Sequence, residues 1–211
     1  DEFYRGETPN VEAVDPALND SRFHAWLGDG TPVDAYTLLG SAVPRRSVGA
    51  HPRVDVVCND PEMASEQEVA SVYRRRLAAH GVSVSVHEQL RTDELAAVFE
   101  QSTNLVHFIG HVDVDGLVCP DGSLAAADLE ECAATAFVLN ACGSYYEGYD
   151  LVRQGATVGA VTLTAVLDEQ AVRLGTALAA LLAEGFSFDR ALSLARGEII
   201  VGRDYVVVGD G

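Results

Sequence analysis

The hydrophobic positions from residue 53 onward fall into short apolar runs separated by longer segments with helical spacing. Runs of this kind are typical of strands buried in a parallel sheet, and they lie at residues 54–58, 105–109, 136–141 and 157–163. Residues 82–86 alternate valine with serine, as an edge strand does, and residues 205–208 give a last strand. Helical spacing covers residues 63–80, 90–102, 146–154, 168–185 and 188–196. The pattern predicts an α/β fold with one mostly parallel sheet and right-handed crossovers.

The first fifty residues follow a different pattern. Residues 1–20 are polar and acidic, and two short apolar runs around a glycine-rich turn predict a hairpin at residues 23–39. Residues 44–52 have little periodicity and indicate a linker. We therefore predict an N-terminal extension over residues 1–50 and a main domain over residues 51–211. The chain begins with aspartate rather than methionine, which suggests a fragment or a processed product.

Between the two central strands lies a segment with a separate rhythm. Two Asp-Gly pairs, at residues 115–116 and 121–122, flank a short apolar run and predict a small hairpin that leaves the sheet. Residues 125–132 then predict a short helix that leads back into the sheet.

Charge narrows the classes of function. The chain has 211 residues, a net charge of −18 and fourteen basic residues, and none of these is lysine. A surface this acidic repels phosphate backbones, so direct binding of nucleic acid is not expected. The acidic residues are spread along the chain, which favours adaptation to a salt-rich, halophilic cytoplasm over a docking surface for a basic partner. No apolar run reaches the roughly 18 to 20 residues that a membrane span needs, so we expect a cytoplasmic protein without membrane contact.

The cysteines give no metal signature. Cys58, Cys119, Cys132 and Cys142 lack C-x-x-C spacing, so we predict neither a metal nor another cofactor. We expect Cys58, Cys119 and Cys132 to be reduced thiols, and the sequence leaves a bridge between Cys119 and Cys132 open.

Two of the predicted central strands end in reactive side chains. Residues 105–111 end at His111, and residues 136–142 end at Cys142. Because ligands bind at the carboxyl ends of strands in open parallel sheets, we predict that these two side chains form a catalytic dyad. A histidine beside a thiol raises its thiolate fraction, and the thiolate is the nucleophile. The backbone N–H groups of Val112, Cys142 and Gly143 are the predicted oxyanion donors. The alternative is a small buried cysteine without chemistry, and His107 is predicted to be a packed or edge side chain.

The same residues carry a resemblance to a known family. Residues 105–111, the turn at residues 121–124, residues 138–142, residues 151–156 and residues 191–196 resemble the CHAT domain, a branch of the caspase-like cysteine peptidases. The resemblance covers about residues 53–208. It implies a caspase-hemoglobinase-like three-layer sandwich with helices on both faces and strand order 2-1-3-4, followed by later strands. It also implies His111 as the catalytic histidine and Cys142 as the nucleophile.

The resemblance implies a protein or peptide substrate and, as an alternative to catalysis, a silent scaffold or sensor. Several members cleave after basic residues through an acidic pocket, for which Asp113, Asp115 and Asp168 are candidates here. Turn chemistry explains Asp113 and Asp115 equally well, and a helix N-cap explains Asp168. Regulation by an attached domain or partner protein is also implied.

Two other classes of protein are disfavoured. A glutamine amidotransferase needs a small residue where Asn140 stands, and its cysteine precedes its histidine along the chain. A response receiver needs an aspartate where His111 stands.

Overall fold

A computed structural model describes residues 52–60, 66–77, 80–165, 168–197 and 204–210. The predicted extension over residues 1–50 and its hairpin lie outside these ranges. The described strands are β1 Arg53–Cys58, β2 Ser83–Glu88, β3 Thr103–Ile109, β4 Val112–Asp113, β5 Gly116–Cys119, β6 Gly122–Leu124, β7 Ala134–Asn140, β8 Val158–Thr162 and β9 Tyr205–Gly209. The helices are α1 Glu66–Leu77, α2 Thr92–Glu100, α3 Tyr145–Arg153, α4 Asp168–Ala183 and α5 Phe188–Arg196.

Six strands form the main sheet in the order β2-β1-β3-β7-β8-β9. All neighbouring pairs are parallel except β8 and β9, which are antiparallel. With β7 counted as the fourth strand, this confirms the predicted order 2-1-3-4 and the mostly parallel sheet. β3 and β7 lie at the centre, where most of their side chains are buried and most of the buried ones are apolar.

Helices cover both faces of this sheet. Leu95, Phe99 and Leu151 from α2 and α3 belong to one buried cluster, whereas Tyr73 from α1 and Leu178 from α4 belong to the other. All strands of this sheet except the edge strand β2 supply both clusters by alternating their side chains. The predicted three-layer arrangement is therefore confirmed. Among the described helices, none is both long enough and apolar enough to cross a bilayer.

The predicted hairpin outside the main sheet is a three-stranded antiparallel sheet in the order β4-β5-β6. Its turn between β4 and β5 needs Gly116, which has φ +127° and lies so close to β6 that a Cβ would be 2.2 Å from the Leu124 carbonyl oxygen. The helix predicted over residues 125–132 is wrong beyond one 3-10 turn at Ala126–Asp128. The Cys132 N–H instead donates to the Gln154 carbonyl, which draws the chain into an extended path toward β7.

Candidate active site

The carboxyl ends of β3 and β7 meet at one edge of the main sheet. The two strands are parallel neighbours, and Ile109 pairs with Asn140 at the end of their ladder. The Gly110 N–H continues the pairing by donating to the Asn140 carbonyl at 3.4 Å. His111 and Cys142 each follow two residues after this last pair, so the backbone brings them to the same edge at matched positions. Adjacent strands lie about 4.8 Å apart.

An aspartate from a third strand end supports His111. The Asp60 Oδ2 lies 2.8 Å from the His111 Nε2, and the Asp60 side chain is 9% exposed whereas His111 is 59% exposed. Asp60 follows β1, which pairs with β3 on the side opposite β7. The sheet therefore presents Asp60, His111 and Cys142 from three consecutive strand ends. With Nε2 facing Asp60, the Nδ1 atom is the ring nitrogen that can serve a reacting group.

The loop that carries Cys142 is held from β8 by buried hydroxyl groups. The Thr162 hydroxyl donates to the Ala141 carbonyl, and the Ser144 hydroxyl donates to the Leu139 carbonyl at 3.2 Å. The Thr162 N–H in turn donates to the Ser144 hydroxyl oxygen at 3.0 Å. Thr162 and Ser144 are both fully buried. These bonds fix the chain on both sides of Cys142, which is itself half-buried.

A second buried network lies next to this loop. The Tyr205 hydroxyl donates to Asn140 Oδ1, and Asn140 Nδ2 donates to the Ala171 carbonyl in the first turn of α4 at 3.0 Å. Burial raises the pKa of Tyr205, and the negative charge that Cys142 carries when ionised raises it further. The tyrosine hydroxyl therefore stays protonated at neutral pH, as a donor to Asn140. This network links β7, β9 and α4 directly below the cysteine.

The predicted oxyanion donors differ in their surroundings. The Val118 N–H donates to the His111 carbonyl, so Val112 and Leu117 form a non-hydrogen-bonded pair and the Val112 N–H points away from β5. The Gly143 N–H donates to the Thr164 carbonyl at 3.2 Å, and this bond occupies it in the structure.

The acidic residues suggested for a substrate pocket occupy different settings. Asp113 accepts hydrogen bonds from the Asp115 N–H and the Ser123 hydroxyl, both at 2.8 Å. Desolvation acts to raise the pKa of Asp113, but these bonds together lower it. Both aspartates are exposed, Asp113 at the end of β4 and Asp115 in the turn that follows it. Asp168 is the first residue of α4, and its side chain lies outside the described part of the chain.

A further acidic residue, Glu147, was not predicted from the sequence. It lies in the first turn of α3 and accepts a hydrogen bond from the Ala126 N–H at 2.7 Å. Burial raises the pKa of Glu147, and the carboxylates of Asp150, Asp113 and Asp128 raise it further. The turn of the small sheet and the helix after Cys142 therefore share one negative field.

The remaining candidates are structural. None of the four cysteines forms a disulfide, so the possible bridge between Cys119 and Cys132 is not formed, and Cys58, Cys119 and Cys132 are buried. His107 is fully buried, as predicted for a packed side chain. Among the described residues, no cluster of three His, Cys, Asp or Glu side chains is arranged to hold a metal ion.

Comparison with known proteins gives a family and a fold. The family model described as the CHAT domain matches residues 15–205, starting N-terminal to the boundary predicted at residue 51. The crystal structure of the Arg specific cysteine proteinase gingipain R (RGPB) is similar over 75% of this chain, with a TM-score of 0.54 and 10% sequence identity. The matched part spans 46% of that protein's chain. No curated protein matches the chain. At this level of identity the likeness to gingipain concerns the fold.

Proposed function

Because the chain belongs to the CHAT domain family, we propose that it is a cysteine endopeptidase in which His111 and Cys142 form the catalytic dyad. The observation that carries the proposal is the register of β3 and β7. Their pairing ends at Ile109 and Asn140, and the imidazole and the thiol follow at equivalent positions. Two reactive side chains at matched ends of adjacent parallel strands are what a nucleophile and its acid-base partner require.

The proposed reaction uses one thioester intermediate. The Cys142 thiol gives its proton to His111, and the sulfur attacks the peptide carbonyl to form a tetrahedral oxyanion. The oxyanion collapses as the C–N bond breaks, and His111 gives the proton to the departing amine. His111 then takes a proton from water, the hydroxyl attacks the thioester, and the acid product leaves as the thiolate is restored. The Cys142 and Val112 N–H groups are the proposed oxyanion donors. Gly143 is not retained, because its N–H is bound to Thr164.

Asp60 takes the role of an orienting residue in this proposal. A carboxylate 2.8 Å from Nε2 holds the ring and favours the tautomer with a proton on Nε2. Nδ1 is then unprotonated and able to accept the thiol proton. The same carboxylate stabilises the imidazolium that forms when the thiol ionises.

We further propose a preference for substrates with a basic residue before the scissile bond. The gingipain with the similar fold is Arg specific. In the present chain, Asp113 follows His111 by two residues and shares a negative field with Glu147, five residues after Cys142. Asp115 and Asp168 remain predictions for the same pocket. Regulation by an attached domain or a partner protein also remains a prediction.

The proposal is tested by covalent labelling. A peptide acyloxymethyl ketone with arginine next to the reactive group should label the protein at Cys142 alone, as read by mass spectrometry of its peptides. Cys142→Ala should abolish the label, and His111→Ala should slow it at least about 100-fold, since acid-base groups contribute about 10²- to 10⁴-fold. Asp60→Asn should slow labelling less than His111→Ala does.

Cys58→Ala is the matched control because Cys58 ends β1 at the same edge of the sheet but is buried. It should be labelled at the wild-type rate. If the wild-type protein is inert to the probe in low and high salt, while iodoacetamide still alkylates Cys142, the endopeptidase proposal is refuted and the scaffold alternative stands.

A further inference from the structure

We infer that Thr162 is a positioning residue of the active site, whose hydroxyl aims the Cys142 N–H into the oxyanion hole. The inference rests on the proposed function and adds a residue that does not touch the substrate. Thr162 is the last residue of β8, on the side of β7 that faces away from His111.

The peptide bond before Cys142 transmits the effect. Carbonyls along β7 point alternately to its two neighbours, as they do in any parallel strand. The Asn140 carbonyl points to β3, where it accepts from the Gly110 N–H, and the Ala141 carbonyl points to β8, where it accepts from the Thr162 hydroxyl. The described residues contain no cis peptide bond, so the Cys142 N–H is opposed to the Ala141 carbonyl. It therefore points toward the β3 side, where His111 lies.

Thr162 also holds the far side of the cysteine. Its hydroxyl oxygen accepts from the Ser144 N–H at 3.4 Å, and its own N–H donates to the Ser144 hydroxyl. Between these two anchors Gly143 has φ +66°, a left-handed conformation that lets the chain reverse within one residue. The pairing of β7 with β8 ends at Val138 and Ala160, so within the described ladder no residue of β8 pairs with Ala141. The side chain of Thr162 replaces that missing pairing.

The positioning role needs the hydroxyl group of Thr162, and packing of the strand does not explain why a hydroxyl is present there. Thr162 is fully buried, and an apolar β-branched residue such as valine would suit a buried strand equally well. With valine, the Ala141 carbonyl loses its partner, and the peptide plane before Cys142 is free to rotate. Rotation would turn the N–H away from the position at which the oxyanion forms.

The test compares two reactions of the same cysteine. Iodoacetamide alkylates Cys142 by displacement of iodide and forms no oxyanion, whereas a peptide arginine aldehyde adds to the thiol and forms a tetrahedral adduct that places an oxygen in the hole. In Thr162→Val, the inhibition constant of the aldehyde should rise at least about tenfold, because one oxyanion donor contributes about 10²- to 10³-fold. The rate at which iodoacetamide alkylates Cys142 should stay within about twofold of the wild-type rate, because this reaction does not use the oxyanion donor. Thr162→Ser, which keeps the hydroxyl, should restore aldehyde binding.

Two further variants make the outcome decisive. Thr157→Val makes the same change just before β8, at a buried hydroxyl with no hydrogen-bond partner among the described residues, and should bind the aldehyde like wild type. Thr162→Ala replaces Thr162→Val if the valine variant does not fold. Equal losses in alkylation and aldehyde binding would show a merely structural role and overturn the inference, as would unchanged aldehyde binding in Thr162→Val. A wild-type protein inert to the aldehyde and to the acyloxymethyl ketone would instead overturn the endopeptidase proposal itself.

Discussion

Two histidines, His107 within β3 and His111 just after it, show how burial separates packing from chemistry. His107 points into the core, where its Nδ1 lies 3.1 Å from the Tyr73 hydroxyl and Gly175 leaves room for its ring. Burial lowers the pKa of His107 to about 3, so it is neutral at any physiological pH. His111, four residues later, has left the sheet and is 59% exposed beside Asp60. Of the two, only His111 is accessible from solvent.

His107 should make the fold sensitive to mild acid. Histidine in the unfolded chain has a pKa of about 6.5, above the value of about 3 in the fold. As the pH falls, the unfolded state therefore binds the proton before the folded state does. The stability that the neutral His107 contributes is fully present above pH 6.5 and is lost as the pH falls toward 3. At pH 5 the loss amounts to about 2 kcal/mol of unfolding free energy. Urea unfolding measures this loss. Between pH 8 and pH 5, the unfolding free energy of His107→Gln should fall by less than that of wild type.

His80→Gln is the control for this measurement, because His80 is exposed. It should follow the wild-type pH dependence. Equal losses in wild type and His107→Gln between pH 8 and pH 5 would contradict the assignment of the acid sensitivity to His107.

At the scale of elements, the sequence predicts what is set by local pattern. The strands of the main sheet were predictable because each is an apolar run with clear boundaries. β6 was not, because three residues, Gly122–Leu124, are too few to show alternation. The helix over residues 125–132 failed because groups outside the segment bind its N–H groups: the Gln154 carbonyl accepts from Cys132, and the Glu100 carboxylate accepts from Glu130.

The site follows the same rule. The placement of His111 and Cys142 at one edge of the sheet was predictable because each ends an apolar run. Asp60 and Thr162 were not, because their partners, His111 and Ala141, lie far along the chain. In the sequence, Thr162 looks like any other β-branched strand residue, and only the structure shows its hydroxyl bound to the loop of Cys142.

Helix α3 depends on a close approach that can be tested. A Cβ on Gly148 would lie 2.2 Å from Val161 Cγ1, so this glycine lets the helix that follows Cys142 pack directly on β8. Gly148→Ala should lower the unfolding free energy by about 1 to 3 kcal/mol through overpacking. Removing the opposing methyl groups with Val161→Ala should make the second change, Gly148→Ala, less costly. A double-mutant cycle by urea unfolding measures this coupling. Equal costs of Gly148→Ala in both backgrounds would contradict the packing argument.

At the scale of the whole molecule, the overall negative charge and the acidic residues of the site both favour cationic peptides. A net charge of −18, with no lysine, gives a negative potential over the surface, and Asp113, Glu147 and Asp150 add to it near the proposed dyad. A field of this sign attracts cationic peptides before contact. The negative charges also repel one another, which destabilises the folded state, and salt screens this repulsion. The composition predicts a halophilic adaptation of this kind.

These two effects of salt can be separated by peptide charge. For an arginine-containing peptide flanked by basic residues, kcat/KM should fall at least about tenfold as salt rises, because steering is screened beyond about 10 Å at 0.1 M. A peptide with the same cleaved bond but neutral flanks reports how salt changes the fraction of folded, active protein, and its kcat/KM should stay level or rise. The ratio of the two values therefore isolates steering from stability. If kcat/KM responds to salt alike for both peptides, the acidic surface acts only on folding. Substrate selection must then come from contacts inside the pocket, and Asp113→Asn would be the decisive variant.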